Sequence, residues 1–276
     1  MEIKIENLSY YYNEKTSLQK KALDDINITI EKNIITGIIG KYGSGKTTLA
    51  ELMNALMIPS KGNVKIGKYV LDKQINNKDI KEIRKKVGLV MQFPEEQFFN
   101  QTVLEEISFA LKNFNYKVDK LYKQVIDSLK MVGLDETYTE RNPYKLSSGE
   151  KRLIAIASVL VFNPQVIIFD EPTIGLDYKK KKQIIAIIKM LKNKYHKTII
   201  IITHDVDLLY AITDQIIVLE QGKVIYQGLT SKVFSSQTIV FPQIIQFINL
   251  AKKEKGIDLE KTNNIKDLIK DVYRHV

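Results

Sequence analysis

Apolar positions along the chain fall into three spacings, and each spacing predicts a different kind of element. In Glu2-Ile3-Lys4-Ile5-Glu6 and around Ile26, Ile28 and Ile30 they alternate with polar residues, which predicts antiparallel strands with one wet face. In Ile34–Ile39, Val87–Met91, Val166–Phe169 and Thr198–Ile202 they run without a break, as strands buried on both faces do. Helical stretches lie between these runs. One is predicted over Leu49–Met57, and a basic one from about Asp79. Another opens at Thr102 and runs to about Asn113. A further helix runs from Asp119, with Leu121, Val125 and Leu129 on one face, to a stop at Gly133. Lys151–Val161 and Lys180–Lys194 follow, and short strands are expected around Val64 and Val70. Strand and helix therefore alternate, the mark of an α/β fold, with a helical insert interrupting the series.

The tail has its own pattern. Pro242 suits the first turn of a helix carrying Ile244, Ile245, Ile248 and Ala251, and Ile265, Leu268, Ile269 and Val272 form a second apolar stripe. Two short amphipathic helices bury little alone, so they are expected to pack on the main domain or on another subunit.

Composition narrows the picture. At 276 residues the chain suits one large domain with an appendage, and 44% apolar residues supply its core. The absence of cysteine excludes disulfides, thiolate zinc sites and iron–sulfur clusters. No apolar run reaches the roughly 18 to 20 residues that span a bilayer, and Met1-Glu2-Ile3-Lys4 has no signal-peptide pattern, so a soluble or peripheral protein is expected. The net charge of +10 suits nucleic acid or an anionic membrane as neighbours, yet lysines such as Lys179–Lys182 read as the solvated face of a helix.

Chemistry collects where the buried runs end. Gly40-Lys41-Tyr42-Gly43-Ser44-Gly45-Lys46-Thr47-Thr48 is a full G-x-x-x-x-G-K-T match between a strand and a helix. Its glycines let successive N–H groups face a polyphosphate, and the helix beginning near Lys46 adds its positive end. Lys46 is placed to reach the phosphates and the Thr47 hydroxyl to ligate a metal. Gln92 closes another buried run, where its amide oxygen can face a metal or water. Asp170 and Glu171 end Val166–Phe169, and buried carboxylates need a partner such as a nucleotide-bound magnesium. His204 ends Thr198–Ile202, where the ligands of open α/β sheets bind. Thr102–Glu105 and Ser147–Glu150 are S/T-x-x-E capping boxes, each sufficient as a plain helix start. Tyr10-Tyr11-Tyr12, between the first two strands, offers rings for an adenine but equally for packing.

Taken together in this order, the motifs resemble the ATP-binding cassette (ABC) ATPases over about the first 230 residues. Gly40–Thr48 resembles Walker A, Gln92 the Q-loop, Leu146–Glu150 the signature, Val166–Glu171 Walker B, Leu176-Asp177 the D-loop and His204 the switch histidine. The resemblance implies a P-loop NTPase cassette: a mostly parallel sheet core, an antiparallel β subdomain and a helical subdomain at about 95–163, with a C-terminal helical extension over about 231–276. It also implies ATP and Mg²⁺ as cofactors, with Thr47, Gln92 and Asp170 at the metal, Asp170 through water. Tyr12 would stack on adenine, Glu171 polarise the attacking water and His204 steady the γ-phosphate. Two cassettes pair head to tail in this family, so Ser147, Gly149 and Asp177 would serve the partner's nucleotide. Ser148 and Glu150 stand where the family has glycine and glutamine. Glu150 brings negative charge toward that triphosphate, unfavourable at close range unless screened or turned away, and a weakened composite site is expected.

A narrower resemblance is to the ATPases of energy-coupling factor (ECF) transporters, most of all the second of their two ATPase subunits. It rests on Gln92-Phe93-Pro94-Glu95-Glu96-Gln97-Phe98-Phe99, on the start Met1–Tyr10, on Lys151–Ala157 and on the tail. It implies uptake of a vitamin or transition-metal ion, a heterodimer with a second ATPase through the tail, and a peripheral place on the cytoplasmic face of the cell membrane. A transmembrane T component would be met through Gln92–Phe99, and a substrate-specific S component would share the complex. The alternatives are an ordinary ABC importer or exporter cassette and, against the single cassette seen here, a nucleic-acid-associated ABC ATPase; no nucleic acid is expected.

Overall fold

The computed structural model describes residues 1–117, 120–233, 243–255 and 265–275, together with 257, 259 and 262. The alternating segments form β1 (Ile3–Tyr12) and β2 (Lys20–Ile30), paired antiparallel with Ile3 opposite Ile30 and Ile5 opposite Ile28. Tyr10, Tyr11 and Tyr12 belong to β1 rather than to the connection after it, because ladder pairing continues to Tyr12 opposite Lys20 past three shifts of register. After β3 (Ile35–Gly40), β4 (Lys61–Ile66) and β5 (Tyr69–Leu71) complete an antiparallel sheet in the order β2-β1-β4-β5. Glu6 lies on its wet face between Lys4 and Lys65, at 2.8 and 2.7 Å.

The continuous runs assemble the second sheet. Its strands are β3, β6 (Val87–Val90), β7 (Val166–Asp170), β8 (Thr198–Ile202), β9 (Gln215–Glu220) and β10 (Lys223–Leu229), in the order β10-β9-β3-β8-β7-β6. All neighbours are parallel except the β9–β10 hairpin. Every residue of β7 and β8 is buried because the sheet separates two cores. Ile167, Phe169, Ile199 and Ile201 face one core, which also holds residues of α3 (Val103–Asn113), α4 (Leu121–Met131), α5 (Ser148–Leu160), α6 (Tyr178–Asn193) and α7 (Val206–Ile212). Val166, Ile168, Ile200 and Ile202 face the other, with the antiparallel sheet, α1 (Lys46–Met53) and Ile83 of α2 (Asn77–Lys86).

Two helix ends differ from the sequence expectation. α1 stops at Met53, four residues before Met57. Ala55 takes a left-handed φ of 58°, and the Ala55 and Leu56 amides return to the carbonyls of Leu52 and Glu51 at 3.1 and 2.9 Å. This is the double hydrogen bond that ends many helices, here without the glycine that usually signals it. α2 starts two residues before Asp79, since Asn76 caps it by accepting from the Asp79 amide at 2.9 Å. α3 begins at its expected capping box, whereas the expected start of α4 at Asp119 lies outside the described residues.

Packing of the main domain continues through α8 (Thr230–Val233), whose Val233 is fully buried. In the tail, α9 (Gln243–Lys255) and α10 (Ile265–His275) share a small core of Ile245, Ile248, Leu259 and Leu268. Tyr210 of α7 packs against it, and Asp207 accepts the Gln243 amide at 2.7 Å. Pro242 lies outside the described residues. Ile269, expected in the buried stripe, is 49% exposed, and Phe247, Leu250 and Tyr273 also face outward.

Candidate functional site

The carboxyl ends of β3, β6, β7 and β8 bring Gly40, Gln92, Asp170 and His204 to one edge of the parallel sheet, where ligands of such sheets bind. The loop after β3 is shaped by glycines that nothing larger can replace. A Cβ on Gly40 would lie 2.2 Å from the Leu219 carbonyl oxygen, and one on Gly45, at φ 100°, would lie 2.6 Å from Leu23 Cδ2. Gly45 is also the N-cap of α1 and has no side chain to satisfy the first helical amides. Those donors are left for an anion. Lys46 folds back over the loop, donating to the carbonyls of Gly40 and Lys41 at 2.8 and 2.9 Å, with Ser44 Oγ at 3.5 Å. Lys41 and Tyr42 are exposed at the rim.

Thr47 Oγ1 donates to Asp170 Oδ2 at 2.9 Å, joining the loop to the end of β7. Burial pushes the Asp170 carboxyl up, and the Thr47 hydrogen bond and Lys46 act against it. Burial also pushes the Lys46 ammonium down, against the pull of Glu171 and Asp170. Gln92 lines a cavity of about 230 Å³ with Thr47, Glu51, Glu96 and Asp170. The sequence reading missed Glu51, one helical turn beyond Thr47, whose carboxyl is raised by burial and then by Asp170. Tyr12 reaches the same loop. Its hydroxyl and Thr48 Oγ1 are 2.9 Å apart, and its ring stands edge-on to Tyr10 at 5.0 Å.

Glu171 sits at a left-handed φ of 46°, uncommon for a side chain of its size. The neighbours hold it there: its amide donates to Ile202 O at 2.8 Å, and its carbonyl accepts from Arg152 Nη1 at 3.4 Å. Its carboxylate accepts the Thr203 hydroxyl at 2.8 Å and the His204 amide at 3.0 Å, and His204 Nδ1 is 2.8 Å from the same oxygen as that amide. His204 is otherwise open, with 72% of its side chain exposed. Thr203 and Arg152 escaped the sequence reading, which saw only an apolar run and a helix start. Arg152 is buried on α5, which nothing in its sequence neighbourhood signals.

Ser147, Gly149 and Asp177 form a second group. Ser147 caps α5, and Glu150 returns its carboxylate to the Ser147 amide at 3.0 Å while accepting the Tyr138 hydroxyl at 2.7 Å. The carboxylate is therefore turned into its own helix start. The Ser147 and Tyr138 hydrogen bonds lower its pKa to about 2, so it keeps its charge. Asp177 caps α6, accepting the Lys180 amide at 2.8 Å. Arg152 of α5 links the helix that Ser147 caps to Glu171 at the end of β7.

A family model described as "ABC transporter" matches residues 23–174. The energy-coupling factor transporter ATP-binding protein EcfA2 of Enterococcus faecalis is 42% identical over 234 residues, covering 85% of this chain and 81% of that protein. Its counterpart in Clostridium tetani is 39% identical over 270 residues, covering 95% and 92%.

The chain belongs to the energy-coupling factor group of ABC ATPases.

Solved structures agree. The cbiO1 protein of Clostridium perfringens, part of the ABC transporter complex cbiONQ, superposes with a TM-score of 0.75 at 32% identity, over 92% of this chain and 95% of that one. The MJ0796 cassette, in a post-hydrolysis dimer bound to ADP and Pi, gives 0.74 at 28% identity, over 83% and 98%. As an ABC ATPase the chain binds ATP. Among the described residues no helix is long and apolar enough to cross a membrane.

Two outcomes follow from this geometry. Thr203→Val removes one hydrogen bond from the Glu171 carboxylate but leaves the phosphate loop intact, so turnover should fall roughly tenfold with ATP affinity unchanged. Steady-state kinetics beside a fluorescent-nucleotide titration reads this, and equal losses in both would count against it. The Glu150 carboxyl is lowered to about 2, so its contribution to stability is complete above its unfolded value and fades as pH falls toward about 2. Urea unfolding of the native chain and Glu150→Ala should differ most near neutral pH and converge in acid; a difference growing below pH ~4 would contradict this.

Proposed function

We propose that this chain is the ATP-hydrolysing subunit of an energy-coupling factor transporter, held on the cytoplasmic face of the cell membrane and powering uptake of a vitamin or transition-metal ion. The observation that carries this reading is one cavity. Gln92, Phe93, Glu96 and Gln97 line it together with Thr47 and Asp170 of the nucleotide site. A segment that meets a membrane subunit and a segment that senses nucleotide are therefore the same stretch of chain, so closure on ATP is felt at the docking surface. Phe93 and Phe99 are exposed there, and Phe99 stands edge-on to Phe109 at 4.6 Å. Aromatic and acidic groups suit a short basic helix from a transmembrane T component. Glu96 is exposed, and the Glu95 side chain lies outside the described residues. The cbiO1 relative is part of the ABC transporter complex cbiONQ, which supports this assignment.

In this reading Lys46 and the first amides of α1 bind the β- and γ-phosphates, and Tyr12 receives the adenine. The Thr47 hydroxyl, the Asp170 carboxylate and the Gln92 amide are oxygen donors of the kind Mg²⁺ takes, and they share one cavity. The ion, when bound, supplies charge for the polyphosphate. Glu171 orients and polarises the attacking water, its carboxylate aimed by Thr203 and His204, and His204 presents its exposed ring edge to the γ-phosphate. Ser147, Gly149 and Asp177 act on a nucleotide held by a second ATPase in a heterodimer. The cassette of about 1–230 and the tail of about 231–276 divide the work, the tail's outward Phe247 and Leu250 serving that dimer. An S component in the same complex selects the substrate.

Charge reversal at Glu95 and Glu96 tests the docking surface. The variant should no longer purify with the transmembrane subunit and should not support transport, while still binding ATP. An assembled complex that transports normally would sink the assignment.

A further inference from the structure

The altered signature turn has a cation beside it that the motif itself does not contain. Lys180, in the first turn of α6, runs its stem across Gly149: a Cβ on Gly149 would lie 3.0 Å from Lys180 Cε and 3.1 Å from Cδ and Cγ. Gly149 is buried, while Ser147 and Ser148 on either side of the turn stay exposed. The ammonium is steered by Gln183, whose Oε1 is 3.5 Å away and whose amide is itself tied to the Val132 carbonyl at 3.0 Å. Lys180 also contributes to holding the Glu150 carboxyl low, after the Ser147 and Tyr138 hydrogen bonds.

Glu150 presents a difficulty that these contacts resolve. Its carboxylate is fixed against Ser147 and cannot swing away without breaking the capping box, so a permanent negative charge sits at a helix start whose N–H groups would otherwise favour an anion. Glycine at 149 lets the lysine stem cross the turn this closely; a side chain there would push the stem outward. Glu150 in the box and the Lys180 stem packed over the adjacent Gly149 set one charge of each sign on neighbouring residues of this turn, the ammonium lying toward Gln183.

We propose that Lys180 is the charge-compensating residue of this signature turn, offsetting Glu150 so that the triphosphate on the partner ATPase can seat against Ser147 and Gly149. This rests on the reading that the signature of one ATPase closes the site of the other. The compensation replaces the weakened composite site expected from Ser148 and Glu150 with a competent one, maintained by a residue outside the motif.

The test uses the assembled transporter with three variants of this chain. Lys180→Met keeps the apolar stem over Gly149 and removes the charge; Lys180→Arg keeps the charge; Lys180→Met with Glu150→Gln removes both charges. Each is titrated with 8-azido-ATP and photolabelling is scored separately on the two ATPase chains, alongside KM and kcat for MgATP. Lys180→Met should weaken labelling of the partner chain and raise KM roughly three- to tenfold, with labelling of its own chain unchanged. Lys180→Arg and the double variant should return within about twofold of the native complex. The proposal is overturned if Lys180→Met labels the partner normally, or if the loss is as large in the double variant as in the single. A fourth variant, Ser147→Arg, separates this proposal from the reading it rests on: it should strongly reduce labelling of the partner chain, and unchanged labelling would overturn the head-to-tail reading instead.

Discussion

Two carboxylates at the end of one buried strand set the terms for the rest of this structure. Asp170 and Glu171 leave β7 with both cores closed around it, and carboxylates so placed need partners. Thr47 supplies a hydroxyl to Asp170, and Thr203 and His204 hold Glu171. Lys46, half-buried beside Thr47 in the chain, adds the opposing charge. Lys46 and Thr47 follow β3 and Thr203 and His204 follow β8, so the adjacent order of β3, β8 and β7 is what brings the group together. The result is a polar site already wired, yet with loop amides and the Lys46 ammonium available to a phosphate.

The left-handed backbone of Glu171 ties this site to the signature helix. Arg152 is buried on α5 and donates to the Glu171 carbonyl, so a shift of α5 relative to β7 bears directly on the residue that would polarise water. Gln92 makes a corresponding link on the other side, through the cavity it shares with Thr47 and Asp170. Helix α5, the segment Gln92–Gln97 and Glu171 thus meet within a few side chains. That is the arrangement a machine needs if nucleotide closure is to move a membrane subunit.

Much of this was legible in the chain because it is local. The strand–loop–helix context of Gly40–Thr48, the unbroken run before Asp170 and both capping boxes depend on near neighbours, and all three appear as the pattern predicts. What escaped was tertiary. Thr203 looked like the end of an isoleucine run, Arg152 like one more helical cation, and Lys180 like part of a solvated lysine stretch, until the fold set them against Glu171 and Gly149. The early stop of α1 was hidden because Ala55 takes the conformation usually left to glycine. The return of Glu150 to the Ser147 amide was legible as a capping box, but its second anchor, the hydroxyl of Tyr138 twelve residues away in sequence, was not.

The central claim is that the phosphate loop and Glu171 make half of a hydrolytic site, completed by another chain. The most direct measurement is the specific ATPase activity of this chain at increasing concentration, alone and with its partner ATPase. Activity per chain should be near zero when the chain is dilute and alone, rise as partner is added and saturate when the two are paired, while ATP binding to the isolated chain stays measurable throughout. A specific activity that is constant with dilution and indifferent to the partner would contradict the account.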